Sequence, residues 1–182
     1  MKKVLCLILS LLLAFCVVGC AKKPADKLHS VDIEKYANQG KLSNLGFAIG
    51  DDVKSTADAL KTANVDESGE AIFNQNEKGD YTVISDGVVS CCYKTDDQKK
   101  GLTHIVYFGG SYGFELGDVS TGIRDTMAEL GFDAKERDAK KDELFFMPQS
   151  DDMTVLEYSF KKNTVLFIFQ NNALSAVCIC AK

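Results

Sequence analysis

The clearest pattern in the chain is at its start, where Lys2 and Lys3 precede a mostly apolar run from Val4 to Val18. Fifteen residues at ~1.5 Å per residue make roughly 22 Å of helix, short of the ~30 Å hydrocarbon core of a bilayer. That length and the positive flank predict the apolar region of an export signal, not a permanent span. Beyond Ser30 the hydrophobic positions switch to short amphipathic stretches. Val53, Ala57 and Leu60 fall at i, i+4 and i+7 behind Asp51 and Asp52, either of which can cap a helix. Ile123, Met127 and Leu130 repeat the spacing behind Asp118 and Ser120, and Gly131 supplies a stop. A further helix is expected near Val31–Asn38.

Between and after these helices the pattern is that of strands. The first half offers Tyr81–Ser85, Val88–Lys94 and Leu102–Phe108, and the second offers Thr154–Phe160, Thr164–Gln170 and Leu174–Cys180. Asp86-Gly87 predicts a two-residue type I′ hairpin, and turns are expected at Lys161–Asn163 and Asn171-Asn172. Short extra strands near Ala71–Phe73 and Leu144–Met147 would bring each half to one helix and four strands. Phe47-Ala48-Ile49-Gly50-Asp51 also recurs as Phe114-Glu115-Leu116-Gly117-Asp118, before the helical pattern in each half. Recurrence of a motif together with the order of several elements predicts an internal repeat.

The segment closing the apolar run, Val17-Val18-Gly19-Cys20, resembles the lipobox of bacterial lipoproteins, in which the cysteine thiol receives diacylglycerol and becomes the new N-terminus. Cys16 is the competing position, but Phe15 before it is too bulky for a cleavage site. The resemblance implies lipidation at Cys20, an extracytoplasmic location and a membrane partner reached through the lipid. Buried acyl chains contribute about 0.8 kcal/mol per methylene, so two of them anchor a chain stably. The organisation expected is therefore signal peptide 1–19, lipidated Cys20 and tether 20–30, first repeat 31–109 and second repeat 110–182.

The Phe-x-apolar-Gly segment that leads into an amphipathic helix and an antiparallel meander, twice over, is similar to the tandem fold of β-lactamase-inhibitor protein. It also resembles the single-repeat SmpA/OmlA-like lipoproteins of outer-membrane assembly. The second copy carries Ile123 six residues after its glycine, whereas the first has Thr56 there. The resemblance implies an α+β fold in which two tandem helix-plus-meander repeats form one curved antiparallel sheet with helices on one face. The other face would meet a protein partner. No inhibitory loop can be carried over residue by residue.

Composition narrows the function. Removing Lys2 and Lys3 takes the net charge from −5 to −7, which gives the mature chain no electrostatic reason to seek nucleic acid. No cofactor motif is present. Gly109-Gly110-Ser111-Tyr112-Gly113 matches the G-x-S-x-G elbow of hydrolases, but its helix is expected only near Asp118, and both histidines, His29 and His104, precede Ser111. The segment reads better as a flexible joint between halves. His104 alternates with Leu102, Val106 and Phe108, as a packed or rim residue does, and His29 falls in the tether. Asp51-Asp52, Asp96-Asp97 and Asp151-Asp152 lack the alternating ligands of a calcium loop and read as caps and solvated turns.

Of seven cysteines, Cys6 and Cys16 leave with the signal and Cys20 is lipidated. Cys91 and Cys92 are strand neighbours and point to opposite faces. Cys178 and Cys180 share a face with Cα atoms ~6.6 Å apart, at the upper limit for a bridge. This leaves two alternatives: one disulfide joining Cys91 or Cys92 to Cys178 or Cys180, or four reduced, buried thiols. Tyr81, Tyr93 and Tyr107 are the candidate anchors of a partner face. A binding module for a protein or envelope component follows, with a structural envelope-assembly lipoprotein as the alternative and an enzyme least supported.

Overall fold

A computed structural model describes residues 32–139 and 152–182. Cys20, His29, Asp151 and the strand expected at Leu144–Met147 lie outside the described residues.

Helix α1 is Ile33–Asn38, opened by Asp32, whose carboxylate accepts the backbone N–H of Lys35. Helix α2, Val53–Ala63, is capped by Asp52 accepting from Ser55 N. Helix α3, Ser120–Glu129, buries Ile123 and Met127. The strands are β1 Asn74–Lys78, β2 Tyr81–Ser85, β3 Val89–Lys94, β4 His104–Tyr107, β5 Lys135–Asp138, β6 Met153–Ser159, β7 Asn163–Gln170 and β8 Ala173–Ala181. All pair antiparallel in one eight-stranded sheet of order β1-β2-β3-β4-β8-β7-β6-β5. This is an α+β architecture.

Six strands lie where alternation predicts them, and the two edge strands do not. The expected strand at Ala71–Phe73 makes only an isolated bridge, Val65↔Ala71, and pairing begins at Asn74. β1 is exposed at every residue and β5 at all but Arg137. An edge with no apolar face leaves no hydrophobic alternation to read, and charged edges also discourage pairing with other chains. The turns follow their chemistry with one shift. Asn171 and Asn172 take φ of 51° and 62° between β7 and β8, as a type I′ turn requires. In the β2–β3 hairpin Asp86 N donates to Val89 O, so the turn centres on Gly87-Val88, one residue later than expected, with Gly87 at φ 87°. Asp86 instead folds its carboxylate onto the N–H groups of Val88 and Val89 and the amide of Asn64.

Ile33, Ala37, Val53, Leu60, Ile123 and Met127 from the helices share one cluster with Ile84, Cys91, Ile105, Val165, Phe167, Val177 and Ile179 from the strands. Phe167 is its aromatic centre, edge-on to Phe114 at 5.2 Å, Tyr158 at 5.7 Å and Tyr112 at 6.4 Å between ring centroids. A second cluster of Val106, Met153, Val155, Leu166, Ile168, Ala176 and Cys178 uses the intervening strand positions, hence the opposite face.

Gly109–Gly113 is not a slack joint. Ser43 N donates to Ser111 Oγ at 3.1 Å, and Tyr112 N donates to Ser43 Oγ at 2.8 Å. Tyr112 is fully buried at φ 59°, with its hydroxyl donating to Lys41 O at 2.7 Å. A side chain at Gly110 would collide with the carbonyl of Phe114. The glycines serve close approach, and the segment is locked to the loop after α1.

Candidate cavity on the second sheet face

Register places one continuous row of side chains across that second face: Asn74, Ser85, Ser90, Val106, Cys178, Leu166, Glu157 and Lys135, from one edge of the sheet to the other. The adjacent row carries Val83, Cys92, His104, Cys180 and Thr164. Between the two, towards the β5 edge, is a cavity of about 230 Å³ lined by His104, Lys135, Arg137, Glu157, Thr164, Leu166, Cys178 and Cys180.

Each wall has an identifiable origin. Lys135 and Arg137 alternate along β5 and so share the inner face. Arg137 Nε donates to Glu157 Oε2 at 2.8 Å, with the side chains only 13% and 23% exposed. That pair is drier than an ordinary surface salt bridge, and it fixes the guanidinium plane. Lys135 stands opposite Glu157 in the register, is exposed, and makes no ion pair among the described residues. Leu166 and Cys178 form the apolar floor, and Thr164 and Cys180 lie one row over. His104 approaches Tyr81 edge-on at 5.5 Å between centroids, and its Nδ1 lies 3.0 Å from Thr103 Oγ1.

The cysteines resolve as thiols: none of Cys91, Cys92, Cys178 and Cys180 is in a disulfide. Strand β4 stands between β3 and β8, so Cys91 or Cys92 is two strand spacings, roughly 9.6 Å, from Cys178 or Cys180. A bridge needs Cα atoms within ~7 Å. Cys91 also faces the opposite side of the sheet from Cys92, in the first cluster. Burial pushes the Cys91 thiol well above its ordinary range and the Cys92 thiol from 9.0 up to about 12. Both are inert, packed groups.

The three tyrosines do not form a face. Tyr93 is 3% exposed inside the first cluster, and Tyr107 packs half-buried against the same cluster. Tyr81 is on the opposite side, beside His104. The aromatic partner patch is therefore corrected: two of its members close the core and the third does not share their side. Ser111 is 3% exposed and bonded to Ser43, with no histidine among its hydrogen-bond partners in the described residues. Asp51 accepts from Ala48 N, Asp52 caps α2, Asp97 pairs with Lys100 at 2.6 Å, and Asp96 and Asp152 are exposed. Among the described residues no group of three or more His, Cys, Asp or Glu side chains converges as a metal site.

Lys135, Arg137, Glu157 and Thr164 were missed in the sequence. The available signal was the alternating cation pair Lys135-x-Arg137, which only becomes meaningful once that segment is known to be a strand.

No protein-family model matches the chain, and no curated protein matches it. Among solved structures its fold is similar to that of a DUF4309 family protein, YjgB, from Bacillus subtilis. The TM-score is 0.50 at 14% identity, over 87% of this chain and 97% of that one. At that identity the likeness speaks to the fold alone. No helix among the described residues is long and apolar enough to cross a membrane.

Proposed function

We propose that the protein is an extracytoplasmic lipoprotein, anchored through Cys20, that acts as a binding module for an envelope component. The cavity carries the binding half of this reading. It gathers a fixed Arg137–Glu157 pair, an exposed lysine and an apolar floor in one concave site, so that orienting polar groups and an apolar contact surface converge there. The anchor half rests on the Lys2–Cys20 leader.

The tandem-repeat reading, with helices over one face of the sheet, belongs to the same proposal. Gly50 N donates to Leu102 O while Leu102 N donates to Asp51 O; Gly117 N donates to Leu174 O while Leu174 N donates to Asp118 O. Asp51 and Asp118 each accept a backbone N–H from three residues back, Ala48 and Glu115. Gly50 and Gly117 take φ of 87° and 88°. Four strands lie on either side of the Val106↔Cys178 pair. Two independent segments arriving at one local geometry support a duplicated unit. The shared cluster of helix and strand residues supports the helical cover.

The test has two readouts. Fatty-acid labelling and membrane fractionation of wild type against Cys20→Ser should show acyl label and membrane retention in wild type only; an unlabelled, soluble wild-type protein refutes the anchor. Native mass spectrometry of the mildly extracted protein should show a bound envelope component that is lost in Lys135→Glu and kept in Lys99→Glu. Retention of it in Lys135→Glu refutes the choice of cavity.

A further inference from the structure

We propose that the cavity takes a small organic monocarboxylate, with Lys135 as its counter-charge. This rests on the binding role proposed above and names the ligand class. Size sets the first limit. About 230 Å³ lies below the ~300–1,000 Å³ of pockets for drug-sized ligands. The part of the ligand that the cavity holds is therefore short.

Charge sets the second. The Arg137 guanidinium and Glu157 carboxylate compensate one another at 2.8 Å. Lys135, on the same wall, has no compensating side chain among the described residues. One ligand carboxylate balances that ammonium. A dianion would place a second negative charge against Glu157, and a cation would meet Lys135 and Arg137 together. An ammonium–carboxylate bond is of the charge-assisted class, about twice as strong as a neutral one. The floor supplies the third limit: Leu166 and Cys178 are buried and apolar, so they suit a hydrocarbon body behind the carboxylate. The Thr164 hydroxyl adds one neutral polar contact.

The two ends of the side-chain row make the same point from the other direction. The β1 end offers Asn74, Ser85 and Ser90, all small or neutral; the β5 end offers Lys135, Glu157 and Leu166. Along this row charge is confined to the β5 end, where the cavity lies.

The experiment is saturation-transfer NMR and calorimetric titration of the detergent-solubilised full chain with butyrate, butyramide, butylamine and inorganic phosphate. Butyrate should bind saturably, and about tenfold or more weakly in Lys135→Gln, with partial recovery in Lys135→Arg and no change in Lys99→Gln. Butyramide, butylamine and phosphate should each bind more weakly than butyrate. No saturable butyrate binding, equal affinity in Lys135→Gln, or an equal response to butyramide or phosphate overturns the ligand class. If butyrate fails while the native component is still lost in Lys135→Glu, the ligand class falls and the cavity stands as the binding site. If neither responds, both fall. Lys135 is exposed on an edge strand, so its substitution leaves the fold intact.

Discussion

Ser43 and Ser111 join the loop after α1 to the glycine-rich segment after β4, and they should not be energetically equivalent. Removing the Ser111 hydroxyl leaves Ser43 N–H without its 3.1 Å acceptor. Ser43 is only half-buried, so water replaces part of the bond and Ser111→Ala should cost about 1–2 kcal/mol. Removing the Ser43 hydroxyl strands the N–H of Tyr112, bonded at 2.8 Å. Tyr112 is 0% exposed and held at φ 59°, so no water is at hand and a left-handed residue loses its restraint. Ser43→Ala should cost about 2–3 kcal/mol. At ~2–4 °C per kcal/mol for a domain of this size, melting should fall by about 2–8 °C for Ser111→Ala and about 4–12 °C for Ser43→Ala. The hydroxyls also touch each other at 3.2 Å, so the double variant should lose less than the sum. Circular-dichroism melts of the three variants check this. A larger loss for Ser111→Ala than for Ser43→Ala, or an unchanged melt for both, would refute the latch. Labelling of Ser111 by a fluorophosphonate would reopen a catalytic reading of the glycine-rich motif.

Alkaline stability should decline from about pH 9. Burial raises the Cys92 thiol from 9.0 to about 12 and the Tyr158 phenol from 10.0 to about 12, so the unfolded chain loses these protons first. The stabilisation is complete below the unfolded values and gone by about pH 12, and Cys92 alone accounts for roughly 4 kcal/mol at about 1.4 kcal/mol per pH unit. Cys92→Ala should flatten the melting-temperature decline between pH 9 and 11, and an unaltered slope would count against the assignment. Under native conditions iodoacetamide should modify half-buried Cys180 before buried Cys91, Cys92 and Cys178; peptide mapping showing Cys91 modified first would contradict the packing. Gly110→Ala should yield little folded protein, because its side chain meets backbone, not a movable side chain. Recovery of wild-type melting in that variant would show that the segment has more room than described.

The resemblance noted from Phe47–Asp51 and Phe114–Asp118 was carried by residues that do identifiable work: the two glycines take positive φ, and the two aspartates fold back on the chain. Such features are local, so they leave a mark in the sequence. So do α2, which needs only Asp52 and its apolar stripe, and the six central strands, whose two faces both pack. β1 and β5 left none, because an edge strand without an apolar face is defined by its neighbour's hydrogen bonds, not by its own residues.

By itself the sequence determined the positions of the helices and inner strands and the α+β class; the export leader ending at Gly19-Cys20 is its expectation and part of the proposal. Only the tertiary structure decided which strands pair where no hairpin turn was legible, and function turns on that. Placing β4 beside β8 separated the cysteine pairs beyond bridging distance, the β2–β3 register set Tyr81 on the other side from Tyr93 and Tyr107, and the β5–β6 pairing set Lys135 opposite Glu157. Local periodicity tells a residue which side of its own strand it occupies. It carries no information about which distant strand will lie alongside, because that choice is made by the packing of the whole core.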